Sequence, residues 1–209
     1  MKIRRINNEL EINQEEDTVL VLGYFDGLHK GHQTLFKEAR KIATEQGLKI
    51  AVLTFPESPK LAFVRYQPEL MLHLNHPEER AAHLENLGVD YLYLIDFTSH
   101  FSKNTAQEFF DKYVAALKAK AVVAGFDYHF GSDKRKAEEL ADYFEGQIVI
   151  VSSVNQDEEK ISSTRIRETI QNGDVAKAHQ LLGYPLSTRG IVVHGNARGR
   201  TIGYPTANL

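Results

Sequence analysis

The chain has 209 residues, a formal net charge of -3, 42% hydrophobic and 25% charged residues, and no cysteine. That length suffices for one large or two small domains with a real core. The charge gives no footprint for a nucleic-acid partner, and the lack of cysteine excludes disulfides and thiol catalysis. The opening MKIRRINNELEINQEE lacks the apolar segment of a secretory signal, and no run approaches a membrane span, so a cytoplasmic protein without a membrane partner is expected.

In chain order, apolar runs alternate with helical patterns. Strands are expected over Thr18–Gly23, Leu48–Phe55, Tyr91–Ile95, Lys120–Gly125 and Gln147–Val151. Their β-branched residues suit buried parallel strands. Helices are expected over Gln33–Glu45, Pro77–Leu87, Ala106–Leu117 and Asp133–Phe144. Pro77 at a first helical position and a Thr105–Glu108 capping box support two of these starts. Regular alternation implies an α/β fold, a doubly wound parallel sheet of Rossmann-like type. Ligands of such sheets bind beyond the carboxyl ends of the strands. Gly23 and Gly125 fall at two such ends, so the loops that follow them are expected to meet at one site.

The character changes after Val151. Val154–Lys160 is a polar, acidic loop. Ile161–Gly173 reads as a loop and short helix, Val175–Leu182 as a further helix ending at Gly183, and Gly190–Leu209 as β-like, glycine-rich and basic. A boundary near 183–187 follows, giving domains 1–185 and 186–209.

Two motifs carry chemistry. In Val19–Ala43, VLVLGYFDGLHKGHQTLFKEARKIA, a strand runs through a glycine-containing loop into a helix and delivers His29 and His32. Unpaired N–H groups and the helix dipole make such a terminus an anion site. Gly31 removes a side chain that would obstruct a ligand. Imidazoles three residues apart share a face and can donate to a phosphate as charge builds up. A zinc reading of the pair is poor, because there is no cysteine and no third ligand nearby. The second motif is ISSTRIR, Ile161–Arg167. Its hydroxyls and arginine forks suit phosphate oxygens; an N-cap cluster followed by a solvated basic face is the other reading.

GYFDGLHKGH resembles the histidine-x-glycine-histidine loop of the nucleotidyltransferase superfamily, and ISSTRIR resembles its distal phosphate motif. With GFDYHFG at Gly125–Gly131, the combination is similar to the FMN adenylyltransferase module of bacterial bifunctional riboflavin kinase/FAD synthetases. GIVVHGNARGRTIGYPTANL resembles the opening of the β-barrel riboflavin kinase module, with its Pro-Thr-Ala-Asn signature at Pro205–Asn208. The resemblance implies that AMP passes from ATP to FMN, giving FAD and pyrophosphate, with magnesium. It implies that His29 and His32 contact the ATP phosphates, and that Gly23, Tyr24, Phe25, Asp26, Gly27 and Gly31 shape the nucleotide loop. Ser162, Ser163, Thr164 and Arg167 would hold the β and γ phosphates. Asp127 would contact flavin or magnesium, with a turn-ordering role equally open. Phe63 would pack on the flavin, or be a plain core aromatic. Thr206 and Asn208 would bind kinase-module magnesium, and riboflavin would be that module's substrate.

Two departures from the pattern stand out. The family's Pro-His-Pro element is here TFPESPK, with Ser58 in place of the histidine. The sequence also ends just after the kinase signature. The expectation is a piece of a longer protein, or a chain whose kinase half is lost, with no riboflavin kinase activity of its own. Two alternatives stay open: another small-molecule nucleotidyltransferase, and a non-catalytic flavin- or nucleotide-binding module.

Overall fold

Six strands pair side by side, all parallel, in the order β1-β4-β3-β2-β5-β8. They are β1 (Lys2–Ile6), β2 (Thr18–Leu22), β3 (Lys49–Thr54), β4 (Tyr91–Ile95), β5 (Ala119–Gly125) and β8 (Gln147–Val151). Two short antiparallel hairpins complete the strands: β6 (His129–Phe130) with β7 (Arg135–Lys136), and β9 (Asn155–Gln156) with β10 (Glu159–Lys160). The computed structural model describes residues 1–62, 64–65, 72–196 and 198–208. Phe63 lies outside them.

Alternation along the central strands feeds two cores, as a doubly wound sheet requires. Val19 and Val21 of β2 face α1 (Lys30–Gln46), whose Leu35, Phe36, Ala39 and Ile42 form the buried stripe. Leu20 and Leu22 face the opposite layer with Phe109, Phe110, Tyr113 and Leu117. Burying each large side chain contributes about 1.5–3 kcal/mol. The α1 helix opens at His29, whose ring caps the His32 N–H, and closes at Gly47, left-handed at φ 68°. The α2 helix (Pro77–Asn86) starts at the expected proline. The capping box of α3 (Ala106–Phe109) is present, and the chain continues as a π-helical turn over Phe110–Val114. Two helices beyond the sheet, α4 (Ser163–Gln171) and α5 (Val175–Leu182), share a smaller core with Leu74 and Ile161.

Three expectations are corrected. The expected helix over Asp133–Phe144 is β7 followed by a 3-10 helix over Ala137–Asp142. Arg135 is held by Asp133 and Glu139, and the Glu139 carboxylate accepts the Lys136 N–H, so local polar contacts replace helical ones. The β1 strand adds an element where the sequence suggested none, because KIRRI carries three basic residues in five and buries only Ile6. It pairs with β4 in parallel. The β-like tail forms a single bridge, Val193 with Asn208, and a short helix α6 (Arg198–Thr201). Among the described residues no helix is long and apolar enough to cross a membrane.

Candidate active site

The carboxyl ends of β2, β3, β4, β5 and β8 open on one cavity of about 660 Å³. Gly23, Phe55, Phe97, Phe126 and Ser152, each one or two residues past its strand, line it. The loops after Gly23 and Gly125 therefore do meet.

The loop from Gly23 to His29 is built under constraint. Phe25 and Leu28 are buried with positive φ of 58° and 35°, a region that L side chains rarely occupy. The Phe25 ring lies so close beneath Gly23 that a Cβ there would sit 2.6 Å from it. The same ring meets Phe36 at 5.1 Å and His32 edge-on at 5.4 Å. Phe25 thus wedges the loop and orients His32. The braces come from distant segments. Asp26 accepts the Leu74 N–H at 2.9 Å and ion-pairs with Arg167. Ser163 Oγ donates to the Asp26 carbonyl at 2.8 Å, and Tyr184 donates to the Gly27 carbonyl.

The result is a stacked imidazole pair. The His29 and His32 rings lie 3.7 Å apart at 15°. His29 Nδ1 accepts the His32 backbone N–H at 3.3 Å, so the neutral ring carries its proton on Nε2. A Cβ on Gly31 would come within 3.1 Å of the His29 ring, and its absence leaves that ring room. Burial holds His29 down to about 4, helped by the Lys160 charge. Burial, His29 and Lys160 hold His32 well below the ordinary value. Both are neutral donors at pH 7, and His32 Nδ1 is buried with no hydrogen-bond partner among the described residues.

The cavity also has an aromatic wall. Phe55, Phe97 and Phe101 pack edge to face at 5.0–5.5 Å. Tyr128 and Phe130 stack at 6.1 Å, and burial pushes the Tyr128 hydroxyl above its usual range. Tyr24 stands at the rim. Its hydroxyl donates to His73 Nδ1 at 3.0 Å, and His73 Nε2 donates to Glu57 at 2.8 Å. Arg80 lies over the Tyr24 ring and donates to the Phe55 and Pro56 carbonyls. This network secures the segment in which Ser58 replaces the family histidine.

Of the expected site residues, Gly23, Tyr24, Phe25, His29, Gly31, His32, Asp127, Ser162 and Ser163 line the cavity. Asp26, Gly27, Thr164 and Arg167 are not among its lining residues. The Asp26 carboxylate is buried against Arg167, Gly27 packs on Leu74, and Thr164 is exposed. Thr206 and Asn208 border a separate hollow of about 230 Å³ in the tail, with His194 and Arg200.

The sequence profile of the FAD synthetase family matches residues 11–165, and that of riboflavin kinase matches residues 182–209. The chain belongs to the FAD synthetase family. It is 44% identical over 194 residues to the bifunctional riboflavin kinase/FMN adenylyltransferase of Listeria monocytogenes, covering 91% of this chain and 62% of that protein. To the protein of the same name from Bacillus subtilis it is 38% identical over 214 residues, covering 100% and 67%. A crystal structure of a macrolide-efflux protein from Streptococcus pneumoniae superposes with a TM-score of 0.95 at 56% identity, covering 99% of this chain and 68% of that one. The chain thus spans about two thirds of the length of the relatives it matches.

The cavity of this FAD synthetase family member contains residues that motif reading missed. Phe55, Phe97, Phe101 and Tyr128 come from separate elements and read individually as core. The available signal was position, since each follows a strand end. Lys160 was absorbed into an acidic loop, although it directly precedes the second motif. Its ammonium lies 2.5 Å from Asp127 and 4.5 Å from the Phe126 ring centre.

Proposed function

We propose that this chain transfers AMP from ATP to FMN, giving FAD and pyrophosphate. The observation that carries the reading is the neutral, stacked His29–His32 pair opening on the same cavity as an aromatic wall. The imidazoles suit phosphates and the aromatic wall a flat conjugated ring. The names of the Listeria and Bacillus relatives agree with it. The efflux name belongs to the Streptococcus protein and has no counterpart in this cavity chemistry.

The reaction asks little proton chemistry of the protein. The FMN phosphate is already an anionic nucleophile, so no general base is required. Its oxygen bonds to the α-phosphorus as the bond from that phosphorus to the pyrophosphate oxygen breaks. Catalysis then rests on alignment and on stabilising charge at the α-phosphate. His29 Nε2–H and the His32 ring donate to the developing charge, and Ser162, whose oxygen caps α4, keeps its hydroxyl proton for the distal phosphates, while Ser163 spends its own on the Asp26 carbonyl. Asp26, Gly27 and Arg167 act behind these groups by fixing the loop.

Magnesium fits only as an ion borne largely by phosphate. Among the described residues no group of three His, Asp or Glu side chains could hold a metal, and Asp127 is the one carboxylate on the cavity wall. A single carboxylate plus substrate phosphates is a common magnesium environment. When bound, the ion neutralises phosphate charge.

The tail is read as the start of a riboflavin kinase module, with Thr206 and Asn208 as its magnesium-side residues and the boundary near residue 186. Two observations support this: α5 ends at the left-handed Gly183, and the second profile match starts at 182. We place the protein in the cytoplasm.

The test is chromatographic. The purified chain is incubated with ATP, magnesium and FMN, and with riboflavin in a parallel tube. FAD from FMN is the expected result. A folded chain that makes no FAD but adenylates pantetheine phosphate or nicotinamide mononucleotide would move the reading to another acceptor. Tight FMN or FAD binding without turnover would make it a binding module.

A further inference from the structure

The charge around the cavity does not match what the proposed occupants bring. ATP and FMN are both multiply anionic, yet the imidazoles facing them are neutral. The arginines of the second motif face elsewhere. Arg165 donates to the Gln156 and Glu159 carbonyls at 3.0 Å and meets Glu159 at 3.1 Å, while Arg167 is committed to Asp26 and the Leu72 carbonyl. Among the described lining residues the lysines are Lys60, Lys134 and Lys160.

Lys160 differs from the other two in how it is held. It closes β10, and the β9–β10 hairpin is fastened from below by Arg165 and by the Lys177–Asp157 pair. The next residues are Ile161, which is buried, and Ser162, which caps α4. On the cavity lining, the ammonium of Lys160 pairs with Asp127 at 2.5 Å and rests over the Phe126 ring at 4.5 Å. It is also near enough to both histidines to be among the charges that depress them.

We propose that Lys160 is a phosphate-binding residue of this site, parked on Asp127 when the cavity is empty and transferred to nucleotide phosphate oxygens when it is filled. The exchange is electrostatically reasonable. The pair is part exposed, so Asp127 and Lys160 each regain water on parting and the bond costs little to break. A phosphate oxygen beside the cavity wall is the stronger partner for an ammonium. The neighbouring neutral imidazoles donate without competing for charge. Asp127 then serves as the internal stand-in for phosphate that keeps Lys160 on the cavity lining.

This inference rests on reading the cavity as a nucleotide site, and its test separates the two claims. The probe is ATP alone, without metal or flavin, titrated calorimetrically into the purified chain and three variants. Lys160→Met is expected to weaken ATP binding about ten- to hundredfold, the scale of one charge-assisted hydrogen bond. Lys160→Arg is expected to restore most of it. Asp127→Asn, which frees the ammonium, is expected to bind ATP at least as tightly as the parent chain. A purely structural Lys160–Asp127 bridge would instead make both removals act alike. A second readout is the His29 titration followed by NMR, which should move upward in Lys160→Met because a depressing charge has gone. Unchanged ATP binding in Lys160→Met, or equal weakening in Asp127→Asn, would overturn the proposal. If the parent chain makes FAD while either of those results holds, Lys160 alone falls. If the affinities follow the expected order but no FAD forms, the adenylyltransfer reading falls and the phosphate role stands.

Discussion

The two polar motifs that flank the cavity spend their side chains in opposite directions. The first, Gly23–His32, is strained in its backbone and turns its imidazoles into the cavity. The second, Ile161–Arg167, offers the cavity its Ser162 and Ser163 but turns both guanidinium groups into the scaffold. Arg165 ties down the hairpin that carries Lys160, and Arg167 neutralises Asp26 inside the first loop. The contrast teaches that basic residues in a phosphate-like motif need not face phosphate. A loop with left-handed, buried Phe25 and Leu28 needs outside support, and the second motif supplies it.

The sharpest test of that division is in the first motif. His32→Ala should lower kcat for FAD formation by about 10²–10³, the scale for losing one preorganised donor. His29→Asn is the cleaner variant at the other position. Asparagine is a good N-cap and can still accept the His32 N–H, so helix α1 keeps its start while the imidazole is lost. It should show a loss of similar size with little change in unfolding midpoint. Parent-like turnover in both variants would remove the imidazoles from the chemistry.

The next test concerns the brace. Asp26 is buried and Arg167 part exposed, so breaking the pair leaves an uncompensated carboxylate under the loop. Arg167→Met should lower stability by about 2–3 kcal/mol in urea unfolding, slightly under the range for a fully buried pair. Adding Asp26→Asn should recover part of that loss, because the stranded charge goes with it. If Arg167 acted instead chiefly on phosphate, Arg167→Met would unfold at the parent midpoint and lose ATP affinity alone.

How much of this was legible depended on whether the deciding interactions were local. The β2, β4 and β5 runs are apolar because both faces are covered, β8 is an apolar edge strand with only Val151 buried, and the positions of all four were readable to within a residue. Edge strand β1 was not readable, since KIRRI has one pairing partner and shows little burial apart from Ile6. The segment Asp133–Phe144 has helix-forming composition, but Arg135 and Glu139 fix a hairpin and a short 3-10 turn instead. In the tail, Ile191–Val193 suggested sheet, yet Val193 pairs only with Asn208 among the described residues. The histidine pair stood out because its spacing is local. The aromatic wall did not, because Phe55, Phe97, Phe101 and Tyr128 converge only after the sheet has formed. The support given by Arg167 to Asp26 spans 141 positions and left no local trace.

The smallest expected effect extends the comparison to acid stability. His29 is held at about 4 against an ordinary 6.5, and His32 is also depressed, in each case first by burial. Of the charged groups beside them, Lys160 opposes protonation of both, and Asp127 favours protonation of His29. Folding therefore favours the neutral rings. Between the folded and unfolded values the unfolded chain binds more protons, so stability rises with pH. The contribution is complete above about 6.5 and is lost as the pH falls toward 4. From pH 6.5 to 5.5 each imidazole should cost about 1 kcal/mol of unfolding free energy. His29→Asn should reduce that slope by one imidazole's share. The Arg167→Met/Asp26→Asn double variant should keep the parent's slope across the window, since it removes the whole ion pair and leaves both imidazoles in place. A parent chain equally stable at both pH values would mean that the rings are not buried neutral. Parallel curves for His29→Asn and the parent would place the acid sensitivity outside the first motif.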